Sequence, residues 1–428
     1  MDFALTPEQH RLQQVARDFA YREIQPRARE LDALDGLETF PVDLVRRASE
    51  LGLRTLRIPR EYGGLGSDLL TEVIVLEELA AGDCGFAMTI AHPWREGYVL
   101  ARFTTPSQRE RFLPEFLRDD TFLTSWAITE EHAGSDHNLP YAGDLSAGLQ
   151  TSAVRDGDSW VLNGRKRFIT NGNVARLVLL FARTDPSRPW TEGTSAFLVP
   201  TDAPGFHVGR TEDKLGLRCN QNVELLFEDC RIPADNLVGE LHGGYHVAEQ
   251  AGPGSKAREA TRALGVARAC FEAGSAWCAE RVQGGAVLAD HESISVALAE
   301  MATEIELART LIWRAAWAVD HDPERFRPLE DMAKVSTSEM AIRVATRTMQ
   351  LFGARGALRE HPIEKLVRDA ATIMLPPVGN QASRVRLGRW LAAHPDVAAL
   401  VPDGVSGAGG AGGAARVSGA RAASQPDG

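Results

Sequence analysis

The stretch FLTSWAITEEHAGSD, residues 122–136, is where the hydrophobic period of this chain changes. Before it, apolar residues recur at helical spacing. After it they come in short runs separated by Gly, Asn, Asp and Pro. Within the stretch, Phe122–Ile128 reads as a strand and Thr129 carries a hydroxyl beyond it. Gly134-Ser135 then offers backbone N–H groups and a second hydroxyl that a phosphate can approach closely. Read as packing alone, the same residues are a strand followed by a Gly-Ser turn.

Working outward, Thr6 and Pro7 predict a helix start, with Thr6 as cap and Pro7 at the first helical position. Further helices are expected from Pro41 to Leu51, from Leu69 to Ala80, and over 84–103 and 106–118. RIPREYGGLGSD, 57–68, is a Pro/Gly-rich turn. Short strands are predicted at Leu149–Val154, Ser159–Leu162, Arg167–Ile169, Leu177–Arg183, Thr194–Val199, Phe206–Arg210 and Asn222–Phe227. RDGDSW and NGRKRF read as hairpin turns between them. The helical period returns near 240, with helices expected over 242–281, 290–321, 328–352, 360–373 and 380–393. The expectation is an α+β multidomain chain. A helical domain spans 1–120, a β-barrel-like domain 121–235 and a four-helix-bundle-like domain 236–397. A Gly/Ala-rich tail, 398–428, is expected to be disordered. Its Gly407-x-Gly409-x-x-Gly412 has the form of a dinucleotide fingerprint but lacks the strand–turn–helix context that gives that motif meaning.

The composition narrows the function classes. A net charge of -11 over 428 residues argues against binding to duplex nucleic acid, which depends on many Lys/Arg–phosphate contacts. No apolar run approaches the length of a membrane span, and the amphipathic N-terminus is no signal peptide, so a cytoplasmic protein is expected. The five cysteines form no CxxC pair, so neither a disulfide framework nor a metal site is expected. Lysine occurs only at 166, 214, 256, 334 and 365; the arginine bias reads as a property of the coding genome.

Seven short motifs in unbroken order resemble the acyl-CoA dehydrogenase family over roughly residues 1–395. Ala127-Ile128-Thr129-Glu130-x-x-Ala133-Gly134-Ser135-Asp136 resembles its first signature. Gln350-x-x-Gly353-x-x-Gly356, continuing through Glu360, Lys365 and Asp369, resembles its second. Arg167-Phe168-Ile169-Thr170-Asn171-Gly172, Lys214–Arg218, Phe227–Pro233, His291–Ser295 and Leu298–Met301 lie between them. The resemblance implies non-covalently bound FAD and oxidation of an acyl thioester, on CoA or a carrier protein, by hydride transfer to flavin N5. It assigns the flavin ring to Trp126, Ile128, Thr129, Phe168 and Thr170, and a phosphate to Gly134 and Ser135. Arg281 would pair with the pyrophosphate, and Gln350 and Gly353 would meet the same FAD from a neighbouring subunit. A homo-oligomer, dimer or tetramer, is implied.

The chain also departs from that pattern. The position of the usual catalytic glutamate falls on Pro377, and the position a minority of the family uses falls on Ser255. Neither side chain is a base at neutral pH. Lys256 stands where an arginine is usual, and Leu139, Ala354 and Ala357 replace other family residues. Glu249 and Glu259 are the nearby carboxylates, and both read as solvated helix residues. Arg95 sits in a helix that lines the acyl pocket of relatives; it either receives a substrate carboxylate or pairs with Glu96 on the surface. Three functions are therefore carried forward: a dehydrogenase of a thioester or a related specialised-metabolism substrate, a flavin-dependent monooxygenase on the same scaffold, and a flavin-retaining non-catalytic subunit. The partner of the first is an electron-transfer flavoprotein or carrier protein, and of the second a flavin reductase.

Overall fold

The computed structural model describes residues 4–33, 40–135, 145, 147–395 and 400. The tail from Gly404, with its glycine motif, and Asp136 and Leu139 lie outside the described residues.

Local capping sets where the first helices start. The Thr6 hydroxyl accepts from the Gln9 N–H while the Gln9 side chain accepts from the Thr6 N–H, opening α1 (Pro7–Phe19). A π-helical turn, Ala20–Ile24, leads into α2 (Gln25–Ala33). Next come α3 (Val42–Glu50), α4 (Leu69–Gly82), α5 (Cys84–Arg102) and α6 (Pro106–Arg118). Thr105 and Gln108 repeat the reciprocal cap at α6.

The middle segment forms one eight-stranded sheet. In chain order its strands are β1 (Leu123–Ala127), β2 (Ser152–Asp156), β3 (Ser159–Thr170), β4 (Ala175–Arg183), β5 (Thr194–Pro200), β6 (Phe206–Thr211), β7 (Asn222–Pro233) and β8 (Leu237–Val238). Spatially they run β6-β7-β3-β2-β4-β5-β8, with β1 parallel to β4, and a one-turn helix α7 (Trp190–Gly193) lies between β4 and β5. RDGDSW is the expected hairpin: Asp156 pairs with Ser159 around Gly157, whose φ is +57°. NGRKRF is not a turn; it runs inside β3. Gly164 takes φ +143° there, and a Cβ on it would lie 2.7 Å from Thr151 Cα, so only glycine fits; Phe168 takes φ +59°. Two bulges then bend one twelve-residue strand where two short ones were expected.

The expected single helix over 242–281 is two. Gly252-Pro253-Gly254, with Gly254 at φ +86°, breaks it into α8 (Gly244–Ala251) and α9 (Ser255–Glu280). A two-stranded ribbon, Val282–Gln283 and Ala286–Val287, follows. After it come α10 (Glu292–His321), α11 (Pro323–Phe352), α12 (Ile363–Thr372) and α13 (Asn380–Ala393). The third helix starts before 328 because Asp322 accepts from the Arg325 N–H.

Helix α9 packs against α4, α10, α11 and α12, and much of it is buried on every face. Its charges therefore need partners from other segments. Arg268 donates to Glu77 Oε1 at 3.0 Å and to Glu78 Oε2 at 2.6 Å, and Arg258 pairs with Glu72, all on α4. Lys365 joins Asp83, the cap of α5, at 2.7 Å to Asp369 at 2.6 Å, and Asp369 accepts from the Leu217 N–H. Replacing Arg268 with alanine takes the charge partner from buried Glu78, while Glu77 keeps Arg309. It should cost about 3–5 kcal/mol in urea unfolding. Arg11→Ala, which breaks an exposed pair with Glu8, should cost about 0–1 kcal/mol. Equal losses for the two would contradict the central place of α9.

Candidate functional site

The turn after β1 is held by a buried lysine. Lys166, on β3, donates to Glu130 Oε1 at 2.7 Å and to the Ile128 carbonyl at 3.0 Å. Glu130 also accepts from the Gln150 and Thr151 N–H groups at 2.6 and 2.9 Å. Burial would raise the Glu130 carboxyl, but the Lys166 charge and these donors hold it below the usual carboxylate range. Burial pushes the Lys166 ammonium down, with Glu130 opposing. The Arg167 N–H donates to the Thr129 carbonyl at 2.9 Å. Thr129 is thus fixed just beyond β1 rather than within it. Ile128 is buried, Ser135 is exposed, and a Cβ added at Gly134 would meet nothing closer than Thr129 Cγ2 at 3.9 Å.

The end of β3 lies beside this turn. Phe168 is 51% exposed despite its size, with the Arg167 guanidinium 4.7 Å from its ring centroid. Asn222 Nδ2 donates to the Phe168 carbonyl and to Thr170 Oγ1, both at 3.0 Å. Thr170 Oγ1 therefore accepts one bond and keeps its own hydrogen to donate. Asn222 is oriented in turn by Lys214, which donates to its Oδ1 at 2.7 Å. Burial brings that lysine down to about 8, against the opposing charge of Asp369. Trp126 is half-buried, with Phe181 at 4.6 Å and the Arg95 guanidinium at 3.8 Å from its ring. A cation thus lies against the ring that the resemblance assigns to the flavin.

Arg281, Gln350 and Gly353 meet elsewhere. Arg281 caps α9, Gln350 and Gly353 end α11, and all three are exposed. The two helix ends are tied by Trp277 stacked on Phe352 at 4.7 Å and by Trp277 Nε1 donating to the Leu351 carbonyl. They form a group at one end of the bundle, apart from the β1–β3 turn.

The candidate bases separate clearly. Glu249 is a surface residue 4.0 Å from Arg327. Glu259 is not the solvated residue expected: it is buried on α9, paired with Arg262, and its Oε1 has no partner. Arg95 is likewise no surface residue. It is half-buried, 3.1 Å from Glu96, and its enclosed Nε has no partner. Ser255 is the first residue of α9. Pro377 lies in a loop gripped by Lys334, whose Nζ donates to the Met374 and Val378 carbonyls at 2.7 Å and to Asn380 Oδ1 at 2.5 Å. Sequence reasoning missed Lys166, Asn222 and Lys334. The available signal is the scarcity of lysine, which occurs at only five positions in the chain.

An exposed aromatic ring, a threonine with a hydrogen to donate, and an open glycine-serine turn suit a flat heteroaromatic group with a phosphate-bearing tail. Known proteins agree. Models of the acyl-CoA dehydrogenase N-terminal, middle and C-terminal domains match residues 6–120, 125–230 and 242–377. The mitochondrial short-chain specific acyl-CoA dehydrogenase of Rattus norvegicus is 38% identical over 85% of this chain and 85% of its own. The solved structure of butyryl-CoA dehydrogenase from Megasphaera elsdenii is 32% identical, with a TM-score of 0.84, over 92% of this chain and all of that one. The solved prolyl acyl carrier protein oxidase AnaB is 27% identical, with a TM-score of 0.79, over 91% of this chain and all of its own. The chain belongs to the acyl-CoA dehydrogenase family, a family of oxidoreductases. Its members use FAD.

Two substitutions separate scaffold from cofactor contact. Lys166→Met strands the buried Glu130 and should destabilise the fold by about 3–5 kcal/mol. Phe168→Ala removes an exposed ring and should change apoprotein stability by no more than about 0.5 kcal/mol while lowering FAD retention. Flavin-to-protein absorbance ratios and urea melts distinguish the two outcomes.

Proposed function

We propose that this chain is an FAD-dependent oxidoreductase that oxidises an acyl thioester carried on CoA or on a carrier protein. The observation that carries the reading is the corner where Thr129, Phe168 and Thr170 converge, with Asn222 leaving the Thr170 hydroxyl free to donate. Thr129 and Thr170 would bond the edge of the flavin ring, Phe168 would cover it, and Gly134 and Ser135 would meet the pyrophosphate. FAD, when bound, accepts the two electrons that leave the substrate. Trp126 and Ile128 would lie along the same ring and keep water from it. The short-chain dehydrogenase and the carrier-protein oxidase among the relatives support the two carriers.

Arg281, Gln350 and Gly353 are assigned to the FAD of a neighbouring copy, which makes the working unit a homo-oligomer. The support is their shared exposed position at the end of the bundle. Arg281→Ala removes a charge-assisted pair and should weaken FAD binding by about ten- to a hundred-fold, without changing the unfolding midpoint of the apoprotein. Full FAD retention by a variant that sediments as a monomer would contradict the assignment.

A second reading, oxygenation of the substrate on the same scaffold, is favoured by Pro377: the loop Leu375–Gly379 has no carboxylate to take an α-proton. Anaerobic bleaching of the flavin by acyl thioesters supports dehydrogenation. Absence of bleaching, with oxygen-dependent product formation after chemical reduction, supports oxygenation. Pro377→Glu should raise thioester oxidation by less than about tenfold, against the 10²–10⁴-fold a well-placed base contributes. Lys334 grips the loop at three points, so a new side chain is held by the existing backbone rather than led to the substrate. A rise of several hundredfold would show that the cleft is that of a simple dehydrogenase lacking only its base.

A further inference from the structure

The Lys214 ammonium is met only by neutral oxygens. Its Nζ donates to the Leu217 carbonyl at 2.9 Å, to the Asn220 carbonyl, and to Asn222 Oδ1 at 2.7 Å, with Asn220 Oδ1 farther off at 3.5 Å. Two of the three close acceptors are main-chain groups. The third is the Asn222 side-chain amide, the one group among them that can turn over in place. An ammonium can only donate, so it forces the amide oxygen towards itself and the amide nitrogen away. That nitrogen then donates to Thr170 Oγ1 and to the Phe168 carbonyl, both at 3.0 Å. Thr170 receives this bond and keeps its own hydrogen for a ligand.

A neutral amine reverses this logic. It has two hydrogens and a lone pair, so one of the three close oxygens must face that lone pair. The main chain is fixed: the Asn220 N–H donates to the Leu217 carbonyl at 3.0 Å, and Asn222 is paired with Thr170 in the sheet. The Asn222 amide can turn, giving an N–H to the amine and its oxygen to Thr170, which then spends its hydrogen on that oxygen. The Phe168 carbonyl loses its donor in the exchange, which limits the size of the swing. Burial brings Lys214 down to about 8; Asp369 on α12 opposes this, and Arg218 on the same loop adds to it. Asp369 is shared with Lys365, which also holds Asp83, and Arg218 is paired with Asp213. Cys84 at the start of α5 and Cys219 are pushed up by burial and stay neutral thiols. Glu212, whose N–H donates to the Asn222 carbonyl, is held by Arg167.

We propose that Lys214 is a positioning residue for the flavin: its proton holds the Asn222 amide so that the Thr170 hydrogen is left to the flavin ring, and when that proton leaves for solvent the amide turns and takes the hydrogen back. This rests on the placement of FAD beside Thr170 given above. FAD then binds the charged form of Lys214 more tightly than the neutral form. By linkage, its affinity is full below about pH 8 and falls as pH rises through that value.

The test is FAD dissociation from the full-length holoenzyme, read by the fluorescence of released flavin on dilution at pH values from about 6.5 to 9.5. The wild type should lose about three- to tenfold in affinity across this range, the worth of one hydrogen bond. Thr170→Val, which has no hydrogen to offer, should start at the weaker affinity and stay flat with pH. Asn222→Asp keeps a partner for Lys214 but cannot donate to Thr170, whose hydrogen it takes instead. It too should be weak at pH 7 and flat, and its melt shows whether it is folded. A Lys214 that merely braces the turn predicts a different result: the fall with pH persists undiminished in Thr170→Val. That outcome overturns the proposal, as does a flat wild-type profile, or wild-type affinity at pH 7 in a folded Asn222→Asp. Each leaves the FAD-dependent reading standing. If the wild type holds no FAD at any pH, the cofactor reading itself fails, and the role of Lys214 with it.

Discussion

Helix α9 is enclosed by four other helices, and it is also rich in charge. A buried guanidinium without a carboxylate is far more costly than any single apolar contact can offset. Its charges therefore dictate where the rest of the helical structure lies. Arg268 fixes α4 through Glu77 and Glu78, and Arg258 fixes the start of the same helix through Glu72. These partners are 186 to 191 residues apart in the chain. They join the first helical segment to the last. The sheet is tied into the same frame through Asp369, which accepts from the Leu217 N–H while it holds Lys365.

The lysines do a different task from the arginines. Lys166, Lys256, Lys334 and Lys365 are buried, and Lys214 is half-buried. Lys214 and Lys334 each gather several oxygens from a tight turn, and Lys166 and Lys365 each bridge two acceptors. A compact ammonium with three rotatable donors fits such a cage; a planar guanidinium does not. In a chain that otherwise relies on arginine, the positions that keep lysine are structural. Two of them, Lys166 and Lys214, brace the turn and the asparagine that orient Thr129 and Thr170.

Much of the architecture was legible in the sequence. The caps at Thr6 and Thr105, the strand period after Phe122 and the turn at Gly157 are decided within a few residues, and the helices and strands fall close to where those signals put them. The two misreadings have different causes. NGRKRF has turn composition, but pairing with β7 on one side and close approach to Thr151 on the other make it a bent strand. In the sequence the helical period lies on both sides of Gly252-Pro253-Gly254, so 242–281 reads as one helix, although that tripeptide breaks the backbone.

The sequence by itself determined the order of helical, β and helical segments, the positions of the threonines and glycines of the candidate flavin site, and the absence of a carboxylate at Pro377. Those depend on residue identity and on periods that span one or two turns. Tertiary structure alone decided that Glu259 is buried rather than solvated, that Arg95 is half-buried against Trp126, and that Asn222 leaves the Thr170 hydrogen unspent. A charged residue on a helix looks the same in sequence whether it faces water or another helix. What separates the two cases is desolvation, which is set by segments that meet only when the chain folds.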